Sequence, residues 1–424
     1  METPRPPSPK ESWLRKLGPG LITGAADDDP SGIATYSQAG AQFGFGLLWA
    51  VLLTFPLMVS IQLVSARIGR VTGHGLATNI RRHYAHWLLY AIVALLLVAN
   101  VINIAADLSA MGDALSLIAG GPAKAYTVGF GIASLMLQVF VPYHRYVRVL
   151  KWLTLALLAY VAVVFAVKIP WVEVARGTLL PHFVFSAAYL TTLVAVFGTT
   201  ISPYLFFWQA SEEVEELHAT PGAKPLREAP NQARANFRRM KIDTVIGMGF
   251  SNLIAFFIML TTAVTLHSQG VTDIATSAQA ATALRPVAGD FAFALFSLGI
   301  IGTGLLAVPV LAGSAAYAFS GTFKWANSLE LPPSRAKGFY SIIAASTLVG
   351  IAIGFLPIDP IKALFWSAVI NGVISVPIMA VMMMMASNRK VMGSFVASTR
   401  LRWAGWITTV LMAGGVIAMF ATMV

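Results

Sequence analysis

The sequence predicts an all-α polytopic membrane protein of eleven transmembrane helices, the first ten forming two inverted repeats of five and the last standing outside them. Three observations predict it. Of 424 residues, 57% are hydrophobic and only 11% are charged, less than half of the roughly one quarter that covers a soluble protein. Apolar runs of about 20 residues, enough to cross a hydrocarbon core of roughly 30 Å, recur along nearly the whole chain. The first and sixth of these runs, five spans apart, are both interrupted by Gly, Pro and polar residues.

The first sixteen residues are polar and proline-rich, a cytoplasmic tail with no apolar region and cleavage site, so no secretory signal is expected. Spans follow near 17–42, 47–66, 87–119, 125–142, 150–168, 186–211, 242–266, 288–320, 339–357, 361–386 and 403–424. Helices 1–5 thus occupy about 17–168 and helices 6–10 about 186–386, within a membrane core of 17–402; a cytoplasmic loop covers 212–241, and helix 11 closes the chain. An odd number of helices per repeat forces the two halves into opposite orientations. With the N-terminus in the cytoplasm, all 29 basic residues except Lys124, Lys168, Arg176, Arg285 and Lys362 fall in cytoplasmic segments. That bias is the positive-inside rule for an N-in, C-out chain in the inner (plasma) membrane. The net charge of +11 is therefore topological, with membrane lipid headgroups as its partner. No nucleic acid and no obligatory protein partner is expected. The chain has no cysteine, which excludes disulfides and thiolate metal sites.

Acids inside a membrane cost roughly 2.5–3.5 kcal/mol each at a helix centre and mark functional sites. Most of the 18 acids avoid the spans, and Glu212, Glu213, Glu215 and Glu216 are expected in the loop after the sixth. The exceptions are Asp27, Asp28 and Asp29 in the first span and Asp107 in the third. After the three aspartates come Pro30, Ser31 and Gly32. Pro30 removes a backbone donor and pushes Asp29 out of helical geometry. Non-helical backbone at membrane depth persists only where it is buried in protein or lines a cavity. Freed carbonyls and carboxylates are hard oxygen ligands, suited to Mg²⁺ and Mn²⁺. The plainer role, capping a half-helix and pairing with a base, lacks an intramembrane Lys or Arg to complete it.

The sixth span carries Gly198, Thr199, Thr200, Ser202 and Pro203 within an apolar run. A proline kink explains either break alone, but paired breaks in two halves point to a transporter binding site. In the third span Asn100, Asn103 and Asp107 fall at i, i+3 and i+7 on one face, which suits either helix packing or a wet cavity. Met382 to Met385 point around the helix and are expected as lipid-facing filler; Gly302-Thr303-Gly304 is expected as close helix packing. An intramembrane aspartyl protease using Asp29 and Asp107 would need a Gly-x-Gly-Asp signature that the chain lacks, so no enzyme is expected. An anionic gap would also repel the carboxylate of a small organic solute.

The residues Leu17-Gly-Pro-Gly-Leu, then Asp29-Pro-Ser-Gly-Ile-Ala-Thr, then Gln38-Ala-Gly-Ala-Gln-Phe-Gly resemble the first span of Nramp divalent-metal transporters. The likeness continues at Ala66-Arg-Ile-Gly, Val71-Thr-Gly and Ile242-Asp-Thr-Val-Ile, and implies the LeuT-type bundle of two inverted repeats plus an eleventh helix. Typical Nramps read Asp-Pro-Gly-Asn in helix 1 and Met-Pro-His in helix 6. Here the asparagine position is Gly32, the methionine position is Ser202 and the histidine position is Tyr204. The resemblance gives Asp29 its metal-binding role and puts Thr199 where a helix 6 carbonyl binds metal, with Asp27, Asp28, Ser202 and Gly32 around the ion. Tyr204, Asn100, Asn103 and Asp107 are expected to line the cavity. Loss of the soft sulfur removes the preference for transition metals, and Gly and Ser in place of long ligands widen the site for a partly hydrated Mg²⁺. The combination resembles the Nramp-related magnesium transporters. Family positions that relay protons fall at Leu97, Asn100 and Tyr204, none of which titrates near neutrality. The expected function is uncoupled uptake of Mg²⁺, and also Mn²⁺, the ion being substrate and no cofactor being required. The alternative is a proton-coupled Mn²⁺ or Fe²⁺ importer, with Asp107 as a relocated proton carrier.

Overall fold

A computed structural model of the protein describes residues 23–24, 26–141 and 153–423. The tail 1–16, the opening of the first span and the segment where the fifth span is expected to begin lie outside the described residues.

Helices α1 (Pro30–Phe43) and α2 (Leu48–Thr72) belong to one apolar stretch of 43 residues. A single helix of that length would run roughly 65 Å, twice the hydrocarbon core. Gly44, at φ +55°, takes a conformation that a side chain would strain, and ends α1 there. The first half continues with α3 (His86–Ala119), α4 (Ala123–Phe140) and α5 (Leu158–Ala166). The second half holds α6 (Ala187–Thr200), α7 (Pro203–Ala219), α8 (Ala233–Thr265), α9 (Ala292–Phe323), α10 (Lys337–Ile353) and α11 (Pro360–Ser387), and α12 (Thr399–Met423) ends the chain. No strand occurs among the described residues. Eight helical stretches there are long and apolar enough to cross a membrane, and Leu155–Ala166 and Lys337–Ile353 are shorter apolar helices.

α1 packs against α3, α6, α8, α9 and α11, so the first broken span sits at the centre of the bundle. α3 packs along α9, α10 and α11 as a support, and α12 lies against α2, α6 and α11. Large side chains such as Phe140, Phe165 and Phe185 point outward, as a lipid-facing surface requires. The closest crossings use glycine. A Cβ on Gly198 of α6 would land on the Ala368 carbonyl oxygen of α11, and one on Gly304 of α9 would meet Met111. The expected packing role of the Gly302-Thr303-Gly304 run therefore holds for Gly304.

Two expectations change. Only Met384 of the methionine run faces outward; Met382, Met383 and Met385 are buried, because α11 is covered on most sides by α3, α6 and α12. The segment 212–241 is also largely helical: α7 continues to Ala219 and α8 begins at Ala233. Glu213 is fully buried there and accepts from Arg239 Nη2 at 2.6 Å. Arg70 of α2 is buried too, its Nε and Nη1 without hydrogen-bond partners. Glu213→Ala is expected to destabilise the fold by about 3 kcal/mol, the loss of one partner from a buried ionic cluster. Thermal unfolding in detergent measures it, and combining the change with Arg70→Met should recover part of the loss.

Candidate metal-ion site

Both breaks are built the same way. Pro30 and Pro203 each occupy the first helical turn, and the residue before each is extended: Asp29 at φ −75°, ψ 169° and Ser202 at φ −80°, ψ 136°. Proline at N1 gives up no intrahelical hydrogen bond and excludes helix from the preceding residue. The sequence thus places one helix start in each repeat, and the fold brings the two together. Ser31 Oγ lies 3.4 Å from Thr199 Oγ1, and Tyr36 Oη lies 3.0 Å from Thr200 Oγ1.

Asp29 caps α1. Its Oδ1 accepts from the Gly32 N–H and from Ser31 Oγ, both at 2.7 Å. Its Oδ2 accepts from Asn103 Nδ2 of α3 at 3.1 Å and faces Tyr204 Oη of α7 at 3.4 Å. The single Tyr204 hydroxyl proton goes to the closer Ala26 carbonyl, 3.0 Å away, which is one of the acceptors freed by the first break. Asn103 is itself oriented by Ser367 Oγ of α11, which donates to its Oδ1 at 2.7 Å. The Asp29 carboxylate therefore meets groups of α1, α3 and α7, and it is 1% exposed.

Asp27 and Asp28 turn to α8 instead. Ser251 Oγ lies 2.5 Å from Asp27 Oδ2 and 2.9 Å from Asp28 Oδ1. One hydroxyl proton serves only one of two carboxylates, and Asp27 Oδ1 has no hydrogen-bond partner at all. Asp107 is fully buried with neither oxygen hydrogen-bonded. Three acids from one break and a fourth from α3 thus sit in the interior with no basic partner among the described residues, and a bound dication would supply that charge.

Ser202 and Gly32 behave differently from a widened site. Ser202 Oγ lies 2.8 Å from the carbonyls of both Gly198 and Thr199, so its one proton is directed back onto the end of α6 and the Thr199 carbonyl is covered by it. A Cβ on Gly32 would lie 3.3 Å from both Thr199 Oγ1 and Tyr36 Cε2. The space left by shorter side chains is closed by the facing helix. Asn100, the other polar residue of α3, donates to the Leu311 carbonyl and to Ser314 Oγ of α9, both at 2.8 Å. It joins α3 to α9 while Asn103 joins α3 to Asp29. Among the described residues no three of His, Cys, Asp and Glu converge in a metal-holding group, so a bound ion would rely on carbonyl, hydroxyl and amide oxygens as well.

Ser251 and Ser367 are the functional neighbours that sequence reasoning missed. A serine in an apolar helix ordinarily bonds back to its own backbone, and neither carries a signal that it faces a polar partner more than 200 residues away, Asp27 and Asp28 for Ser251 and Asn103 for Ser367. Two cavities of mixed polar and apolar lining lie elsewhere in the bundle, the first also walled by Phe365 and Trp366 and the second by Leu76 and Phe207. One of about 430 Å³ is lined by Gln38, Gln42, Thr191, Thr192 and Asp273. Another of about 210 Å³ is lined by His74, Ser211, Glu215, His218 and Tyr317. Neither is lined by Asp29, so the site is closed to each.

The fold and the family both have matches among known proteins. A manganese transporter from Eremococcus coleocola superposes with a TM-score of 0.74 at 17% identity, covering 100% of this chain and 88% of that one. Mhp1, a nucleobase-cation-symport-1 family transporter in a closed conformation, gives 0.57 at 14% identity, covering 96% and 92%. MhsT in complex with L-phenylalanine gives 0.59 at 13% identity, covering 95% and 98%. These likenesses are of fold, and they carry the LeuT-type architecture that the resemblance implied. The family description "Natural resistance-associated macrophage protein-like" matches residues 20–422. The chain therefore belongs to the Nramp family of metal-ion transporters.

Proposed function

We propose that this transporter carries Mg²⁺, and also Mn²⁺, into the cell across the plasma membrane as a partly hydrated ion, by alternating access and without proton coupling. The N-terminus lies in the cytoplasm and the C-terminus outside. The supporting observation is the set of groups around Asp29: Ser31, Asn103 and Tyr204 at its carboxylate, and Thr199 beside Ser31, offer oxygen and amide groups, with no thioether or imidazole among them. Hard ions prefer such donors, and Mg²⁺ keeps several of its waters. Room for those waters comes when the two breaks part, opening the site to one of the two cavities or the other. Asp29 binds the ion directly, Asp27 and Asp28 raise the local negative potential, and the Thr199 carbonyl becomes a ligand once Ser202 releases it. A membrane potential contributes about 2.3 kcal/mol per charge per 100 mV, roughly 4.6 for a dication, enough to accumulate the ion without protons.

A second reading, proton-coupled Mn²⁺ uptake, is favoured by one observation: both oxygens of Asp107 are buried and unpartnered, as a proton carrier's would be. Vesicles holding a pH-sensitive dye separate the two. Mg²⁺ or Mn²⁺ influx is expected to proceed with no change in internal pH, and acidification in step with metal entry would establish coupling instead.

A further inference from the structure

Away from the ion path, α2, α8 and the start of α12 enclose a trough of about 550 Å³. Its composition is graded. One basic residue stands at the same end of each helix: Arg67 on α2, Lys241 on α8 and Arg400 on α12. Moving along each helix away from those charges, the lining becomes apolar, through Leu63, Val59 and Phe55 on α2, Val245 on α8, and Leu401 and Ala404 on α12. The thirteen residues from Phe55 to Arg67 span roughly 18 Å of helix, about one leaflet of a 30 Å core.

The basic end is organised. Arg67 Nε donates to the Phe395 carbonyl at 3.0 Å and Nη2 donates to the Val396 carbonyl at 3.2 Å. Its guanidinium carbon sits 4.1 Å from the Phe237 ring centroid, held over the aromatic face. Among the described residues none of the three bases has a carboxylate partner, and no acid lines the trough. Trp403, one turn beyond Arg400, is 68% exposed. An exposed tryptophan at a helix end marks the headgroup level of a bilayer, which sets the three charges at that depth. It is also the end of the bundle that bears the basic loops.

We infer that this trough is a binding site for one anionic phospholipid, its phosphate held by Arg67, Lys241 and Arg400 and one acyl chain lying along α2. A free phosphate ion would use the charges but leave the apolar two thirds of the trough unfilled. A second copy of this chain would have to bring an acidic patch and an apolar ridge of matching length, whereas a lipid supplies both in one molecule. Basic pockets between helices on the cytoplasmic face are suited to such headgroups. The lipid would bridge α12, which lies outside the two repeats, to α2 and α8, which follow the first and second breaks in the two halves.

Native mass spectrometry of the full chain, purified in mild detergent with phosphatidylglycerol or phosphatidylcholine added, tests the assignment. The wild type is expected to retain one phosphatidylglycerol in preference to phosphatidylcholine. Lys241→Gln/Arg400→Gln, which alters two exposed side chains and leaves the Arg67 contacts in place, should retain it about twenty-five-fold less, each charge near the surface contributing about fivefold. A Val59→Trp protein, filling the trough while keeping all three charges, should lose retention as well. Millimolar inorganic phosphate should not displace the lipid. Equal retention of the two lipids, equal retention by wild type and double variant, displacement by phosphate alone, or a dimer formed in place of the lipid adduct would each overturn the proposal.

Discussion

Asp29→Asn protein is expected to fold normally and to transport no divalent ion. Asparagine keeps the helix cap, since its amide oxygen accepts from the Gly32 N–H and Ser31 as the carboxylate does, and caps of the two types differ by less than about 1 kcal/mol. What it removes is the acid charge that bonds to Ser31 of α1 and Asn103 of α3 and faces Tyr204 of α7. At an effective dielectric of about 20, a unit charge 4 Å from a dication contributes on the order of 8 kcal/mol before desolvation. Even a small net share of that is a loss of more than about a hundredfold in uptake. Mg²⁺ and Mn²⁺ flux into reconstituted vesicles, beside a melting curve in detergent, makes the distinction. Uptake near the wild-type rate in a well-folded Asp29→Asn protein would remove Asp29 from the site.

The second large effect is structural and acts on the sixth span. Gly198 of α6 lies against Ala368 and Gly372 of α11, and a Cβ at 198 would meet the backbone of both. Backbone does not give way as a flexible side chain does. Gly198→Val should therefore cost at least about 3 kcal/mol, the upper part of the usual range for overpacking. It should also displace Thr199, the next residue, from Ser31. A sharp fall in melting temperature and in monodisperse yield is expected. Gly414→Ala is the control: nothing lies within 4 Å of a Cβ there, and its effect should stay within about 0.5 kcal/mol. A Gly198→Val protein as stable as that control would mean that α6 and α11 can separate freely.

What the sequence made legible was what local chemistry dictates. Asp29-Pro30 and Ser202-Pro203 forbid helix at the residue before proline whatever surrounds them, and both breaks appear where those pairs stand. The burial of Asp27, Asp28, Asp29 and Asp107 followed from the cost of placing acids in lipid. Less legible was anything decided by a partner far along the chain. Ser251 faces two aspartates across more than 200 residues, and only the fold places it there. Ser202 was expected to open the site, yet its hydroxyl turns back onto the end of α6, because a freed carbonyl one turn back is the nearest acceptor. The length of α7 was hidden by its four glutamates, which read as solvated until Arg239 and Tyr317 are seen to hold two of them, Glu213 and Glu215, in the interior.

The two helix starts at the breaks have one more consequence. α1 and α7 both direct their N-terminal ends toward the gap, and each such end carries about half a positive charge from its aligned peptide dipoles. The C-terminal end of α6 returns about half a negative charge from the same source. The helical residues that end at Asp27 before the first break bring a second negative end, so the bare backbone of this gap is near neutral and the aspartates set its sign. Three carboxylates in place of one would make the gap cation-seeking, and the two positive helix ends would temper its hold on an ion bound there.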